Sequence, residues 1–273
     1  MPLSLRYGYS TTMHGRKLTD VMEGLIEAFH TIQIYVGDSG AARLGAPMTD
    51  AETVWLKRLM PLYDIRCVIH SPHSLNLANA DRGQVNVLTL NNLQWQLQGL
   101  PASIVVHVGK VGGVAEIHNQ LNNQELMREI PLLLENAAGQ GTEIGWSLDE
   151  LRRVWEGIDF TSRIGMCLDT AHAFGAGMCQ FADANDTSRL LEEYEALWPK
   201  KLRVIHLNDS AKGFGSRVDR HAVLKQGHIW RERTEGLKTL LDWAIQQDVE
   251  VISETPDWVG DLLVIRELYY TGQ

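Results

Sequence analysis

The chain has 273 residues, 44% of them hydrophobic and 22% charged, which is enough for one sizeable core and unlike a disordered, like-charged chain. The N-terminus lacks the basic-then-apolar layout of a signal peptide, and no apolar run is long enough to cross a bilayer, so an intracellular protein without a membrane partner is expected. A net charge of −9, from 25 Lys and Arg against 34 Asp and Glu, argues against a nucleic-acid partner unless bound cations reverse the balance locally.

Short apolar runs follow one another at the spacing of strand-plus-helix units: LRYGY (5–9), IQIYV (32–36), IRCVI (65–69), SIVVH (103–107), IPLLLE (130–135), IGMCLD (164–169), LRVIHL (202–207) and VEVISE (249–254). Val, Ile and Leu dominate them without strict alternation, as in parallel strands buried on both faces. Between the runs lie amphipathic helical patterns. One carries Val21, Met22, Leu25, Ile26 and Phe29. A second, opened by a Thr49/Glu52 capping box, carries Val54, Leu59 and Met60. A third carries Leu237, Leu240, Leu241, Ala244 and Ile245. Eight such units without a Gly-rich dinucleotide fingerprint after the first strand favour a (β/α)₈ TIM barrel, residues 1–273 as one domain, over a doubly wound sheet. Cys67, Cys167 and Cys179 lack metal-finger spacing and read as buried free thiols.

Six of the eight runs end at or beside a metal-ligating residue: His70, His107, Glu135, Asp169, His206 and Glu254. In a (β/α)₈ barrel the C-terminal strand ends converge on the catalytic face, so these residues would meet. Each has a plainer reading alone, and Asp169 before TAHAF is equally an N-cap. A cluster of buried carboxylates, however, needs counter-charge, and no matching set of Lys or Arg stands at those ends. Loop residues add His172, three positions after Asp169, and the pair Asp219 and His221 flanking Arg220. A mixed His/Asp/Glu set suits Zn²⁺, with Mn²⁺ or Fe²⁺ as alternatives at carboxylate-rich positions.

Three segments are more specific: LLLENAAGQGTEIG (132–145), IGMCLDTAHAFGAG (164–177) and VIHLNDSAKGFGSRVDRHAVLKQGHI (204–229). Through them the chain resembles the endonuclease IV family of apurinic/apyrimidinic (AP) endonucleases along nearly its whole length. The resemblance implies three zinc ions per chain. His70, His107 and Glu135 would hold one. Glu135 would bridge to a second, bound also by Asp169, His206 and Glu254. His172, Asp219 and His221 would hold the third. It further implies an enzyme that hydrolyses the phosphodiester 5′ to an abasic site in double-stranded DNA, leaving 3′-hydroxyl and 5′-deoxyribose phosphate ends and clearing related blocked 3′ ends; the sequence itself gives no sign of oligomerisation, so a monomer is expected. Glu135 would orient the attacking water. The chain departs from its relatives in the loops that enter the DNA. His73 stands where Tyr is common, the loop 36–47 carries Arg43 in place of a Lys/Asn-containing stretch, and Val108 stands where Pro is usual. His73, Arg43, Arg217 and Arg220 are the candidate DNA-binding residues. A sugar isomerase or epimerase, using one divalent metal at Glu135, Asp169, His206 and Glu254, is the competing reading.

Overall fold

A computed structural model describes residues 5–12, 29–36 and 50–270. Val21, Met22, Leu25 and Ile26 of the first expected helix, Thr49 of the capping box and Arg43 lie outside the described residues.

Among the described residues, eight strands form one sheet: β1 (Tyr7–Thr12), β2 (Thr31–Tyr35), β3 (Arg66–His70), β4 (Ala102–His107), β5 (Leu132–Glu135), β6 (Ile164–Asp169), β7 (Leu202–His206) and β8 (Glu250–Ser253). They close into a barrel in the order β1-β8-β7-β6-β5-β4-β3-β2, each strand beside its neighbours in sequence, and every apolar run expected to be a strand overlaps one. The helices among the described residues are α1 (Asp50–Leu62), α2 (Gly83–Leu97), α3 (Val114–Leu121), α4 (Leu148–Glu156), α5 (Thr170–Ala176), α6 (Ala184–Leu197), α7 (Glu235–Gln247) and α8 (Trp258–Tyr270). The chain is thus a (β/α)₈ TIM barrel.

By internal packing the chain falls into two compact units, Ser10–Leu134 with Arg153–Gly165, and Met1–Tyr9 with Glu135–Arg152 and Met166–Gln273. In the first, β2, β3 and β4 pair in parallel with Tyr35 opposite His70 and His70 opposite Val105. Asn76 ties together the loops that follow β3 and β4: its Nδ2 donates to the Lys110 carbonyl at 2.7 Å, and its Oδ1 accepts from the Lys110 N–H at 2.9 Å. On α1 the buried face is carried by Leu56 and Met60, one turn apart, while Val54 is 54% exposed. That corrects the apolar stripe expected there, because Val54 lies nearly opposite Leu56 on the helix and well off the face that Leu56 and Met60 bury. His118, away from the strand ends, is a packing residue. Its Nε2 lies 3.2 Å from the Arg153 carbonyl and 3.0 Å from that of Val154, in the last turn of α4.

Every residue of β6 is buried, and within the second unit its register sets Asp169 opposite His206 on β7. On α7, Leu237, Leu240, Leu241 and Ala244 face the core, as their spacing predicts. After β7 the chain forms a two-stranded ribbon, Asp209–Ser210 with His221–Ala222, which places Ser210 opposite His221. The loop beyond it is gathered on the buried Asp209 carboxylate. Oδ1 accepts from the N–H groups of Ser210 (2.7 Å) and Ile229 (2.8 Å), and Oδ2 from Gly227 (3.2 Å). A Cβ at Gly227 would stand 2.2 Å from Asp209 Oδ1. Gly227→Ala is therefore expected to destabilise the fold by about 1–3 kcal/mol, read as a lower midpoint in urea unfolding.

Candidate metal centre

The second unit brings together seven of the nine expected ligands: Glu135, Asp169, His172, His206, Asp219, His221 and Glu254. Glu135 ends β5, Asp169 ends β6 and His206 ends β7, while Glu254 directly follows β8. All four point from the C-terminal strand ends, where parallel barrels place chemistry. His206 Nδ1 lies 2.9 Å from Glu135 Oε1, 3.4 Å from Glu254 Oε2 and 3.9 Å from Asp169 Oδ2. His172 Nε2 and His221 Nε2 flank Asp219 Oδ1 at 3.4 and 3.3 Å, and His221 Nε2 is 3.6 Å from Asp169 Oδ2.

Local structure explains how these side chains are aimed. Asp169 is both an N-cap and a member of the cluster. Its Oδ1 accepts from the His172 N–H at 2.7 Å and so starts α5, while Oδ2 faces the imidazoles. Helix α5 stops where Gly177 adopts a left-handed conformation, φ 83°. Asn136 grips the Asp169 backbone from both sides, Oδ1 accepting from its N–H at 2.7 Å and Nδ2 donating to its carbonyl at 3.0 Å. The Asn136 carbonyl lies 2.9 Å from His172 Nδ1; donation along this bond puts the proton on Nδ1 and leaves Nε2 as the ligand atom. Asn208 bridges two carboxylates, donating from Nδ2 to Asp169 Oδ2 at 2.7 Å and to Glu254 Oε2 at 2.9 Å. Gln140 Oε1 accepts from the Asp219 N–H at 3.0 Å and steadies the loop that carries the Asp-x-His pair.

Charge at the centre is frustrated without a cation. Burial opposes a proton on His172, His206 and His221, yet the neighbouring acids win and all three are held above the ordinary histidine value. Asp169, Asp219 and Glu135 act on His172, and Glu254 and Glu135 on His206. Asp169, Asp219 and Glu254 act on His221. Burial pushes the Asp169 carboxyl up in spite of its histidine neighbours. Asp219, only partly buried, is held well below the usual carboxylate range by His172 and His221. His221 Nε2 is buried and has no hydrogen-bond partner.

Ligand atoms of Asp169, His172 and His221 lie within 4.8 Å of one another, and so do those of Asp169, His206 and Glu254. Asp169 thus stands in two potential ligand sets, alongside Glu135, the bridging carboxylate that the family resemblance implies. The donor chemistry and the orphaned His221 nitrogen fit divalent metal.

In the first unit His70 and His107 form a pair with ring centroids 5.1 Å apart. His70 Nδ1 lies 2.8 Å from the Ser71 carbonyl, which directs Nε2 outward as the ligand atom. His73 is exposed, its ring 5.0 Å from Tyr35 and 5.2 Å from His107. Arg220 turns back on its own loop, Nη1 donating to the Asp219 carbonyl at 2.8 Å, whereas the Arg217 guanidinium lies 3.8 Å above the Trp146 ring. Sequence reasoning missed the Asp209 hub, the Trp146–Arg217 stack and the place of Cys167. The three cysteines are free and buried, as expected, but Cys167 lies against His206, and burial pushes its thiol up to about 12.

The xylose isomerase-like TIM barrel family profile matches residues 27–240. A curated relative from Symbiobacterium thermophilum, named probable endonuclease 4, is 34% identical over 214 residues, 73% of this chain and 75% of its own length. The chain belongs to the endonuclease IV family. The crystal structure of endonuclease IV from Thermus thermophilus matches 96% of this chain and 97% of its own, with 28% identity and a TM-score of 0.78. A D-tagatose 3-epimerase-like protein covers 96% of each chain at 20% identity and a TM-score of 0.66, a likeness of fold alone. Membership of the endonuclease IV family makes this chain a DNA-cleaving hydrolase. No helix among the described residues is long and apolar enough to cross a membrane.

Proposed function

We propose that this endonuclease IV relative is a zinc-dependent AP endonuclease that hydrolyses the phosphodiester 5′ to an abasic site, leaving a 3′-hydroxyl and a 5′-deoxyribose phosphate. The observation that carries the reading is the web of three imidazoles and four carboxylates around His206 and Asp219, buried at His206 and half-buried at Asp219. In this reading Asp169, His206 and Glu254 hold one ion and His172, Asp219 and His221 another. His70 and His107 hold a third together with Glu135, which is shared with the first. Mn²⁺ or Fe²⁺ is the alternative at the carboxylate-rich position. When bound, the ions supply a nucleophilic water at neutral pH and positive charge where phosphate charge builds up.

The residues of the chain do the rest. Glu135 accepts a hydrogen bond from the attacking water and aims it at phosphorus. Asn208 and Asn136 hold the carboxylates and His172 in place, so that little reorganisation is needed as charge develops. Selection of the lesion follows from the low cost of extruding a sugar that has no base to unstack. His73, exposed beside Tyr35, stacks on a neighbouring base, and Arg217 contacts the DNA backbone.

Two measurements test the reading. Metal analysis of purified protein is expected to give close to three zinc ions per chain; one ion per chain together with turnover of a ketose would replace it with the isomerase reading. Asn208→Ala is expected to weaken metal affinity by about 10- to 100-fold, since Asp169 and Glu254 lose the amide that holds them. Competition with a zinc chelator reads that change, and an unchanged affinity would show that Asn208 does not orient ligands.

A further inference from the structure

Arg217 is a cation without an acid. It is exposed, two residues from Asp219, in a chain with nine more acidic than basic residues, yet it is ion-paired with none of the described carboxylates. Its guanidinium instead lies over the Trp146 indole, 3.8 Å from the ring centroid. The backbone is arranged to keep it there. Arg217 adopts the left-handed region, φ 54°, which is costly for a residue with a side chain. Its N–H donates to the Gly175 carbonyl at 2.9 Å, and the Gly215 N–H donates to that of Phe174 at 3.1 Å, so the loop is pinned to α5. Trp146 is fixed as well. Glu150 Oε2 accepts from the Gly145 N–H at 2.8 Å and the Trp146 N–H at 3.4 Å. Gly139, with φ 79°, leaves room for the indole, since a Cβ there would stand 3.0 Å from Trp146 Cβ.

We infer that Trp146 is a positioning residue that holds Arg217 as a pre-set clamp for one DNA phosphate beside the metal centre. This rests on the AP endonuclease reading for its ligand class and adds the residue that makes the clamp rigid. An indole face orients a planar guanidinium without neutralising it, leaving the N–H edges for a bidentate phosphate bond. A carboxylate in the same place would order the arginine but cancel its charge. A lysine in place of Arg217 would keep the charge but lose the flat stack and the fork.

The test uses the full metal-loaded chain, a duplex with one synthetic abasic site and the same duplex undamaged. Binding is followed by fluorescence anisotropy over a salt series and cleavage by KM and kcat. Trp146→Leu is expected to weaken binding of both duplexes by about two- to fivefold and to raise KM with kcat held, because the stack orders a ground-state contact. Trp146→Phe is expected to restore most of the loss. Arg217→Ala is expected to lower the slope of log K against log salt by about one, as for one lost phosphate contact. In the Arg217→Ala background, Trp146→Leu is expected to add nothing. Binding by Trp146→Leu equal to wild type, an additive double variant, or an unchanged salt slope in Arg217→Ala would each overturn the clamp. An abasic duplex left uncut by the wild type would sink the functional reading, while binding of the undamaged duplex still decides the clamp; a wild type that binds neither duplex overturns it.

Discussion

Glu135→Gln is expected to slow cleavage of an abasic duplex by about a thousandfold, the scale of several kcal/mol of lost transition-state stabilisation at a metal centre. The substitution keeps shape and removes charge. Glu135 is buried, with Oε1 2.9 Å from His206 Nδ1, and a glutamine can present its carbonyl oxygen to the same nitrogen, so the barrel is expected to fold. What is lost is the anionic oxygen that orients water and the carboxylate shared between ligand sets. Single-turnover cleavage with enzyme in excess reads this directly, because product release no longer contributes. The variant should still bind the duplex. Cleavage within tenfold of wild type would remove Glu135 from the chemistry.

Metal removal is the second large effect, and its pH dependence has a definite sign. In the metal-free fold, His172, His206 and His221 are held above the ordinary histidine value of 6.5 by the acids around them. A group whose pKa is raised by folding stabilises the fold fully below its unfolded value, and loses that contribution as pH rises through the folded value. Metal-free protein is therefore expected to lose stability as pH rises above neutrality, as protons leave the buried imidazoles and the carboxylates lose their counter-charge. Metal needs those imidazoles neutral, so binding must displace the protons, and affinity should rise with pH over the same window. The two forms are expected to respond to pH in opposite directions. Thermal unfolding before and after treatment with a chelator at pH 6, 7 and 8 reads both trends, with the stabilisation by zinc widening as pH increases. Cleavage should vanish with the metal and return with zinc. A gap that narrows with pH would mean that the ligands are not these histidines.

Much of this centre is legible in the sequence. Parallel strands in a closed barrel carry their last residues to one end, so His206 and Asp169 can be grouped from their places at the ends of apolar runs, and the register sets them opposite each other. What stays hidden depends on three-dimensional closure. Asp209 reads in sequence as one more polar residue of a loop; its role comes from backbone N–H groups of residues 227–230 folding back upon it. Asn136 and Asn208 stand out in the sequence as amides beside candidate ligands, but a structural loop role reads equally well there for Asn136, and the bonds that decide it, to Asp169 across dozens of residues, form only in the fold. The competition between Asp169 as cap and as ligand is no competition, since its two oxygens serve the two roles separately. On α1, Val54 misleads because a short apolar pattern fits more than one helical face.

AP endonuclease activity is tested most directly with a duplex that carries a single synthetic abasic site, end-labelled on the damaged strand, incubated with metal-loaded protein and resolved beside size markers. One cut immediately 5′ to the lesion is expected, with a 3′-hydroxyl that a DNA polymerase extends, and no cut in the undamaged duplex. A damaged strand left whole by zinc-loaded protein, while Glu135→Gln binds that duplex as tightly as the wild type does, would contradict it.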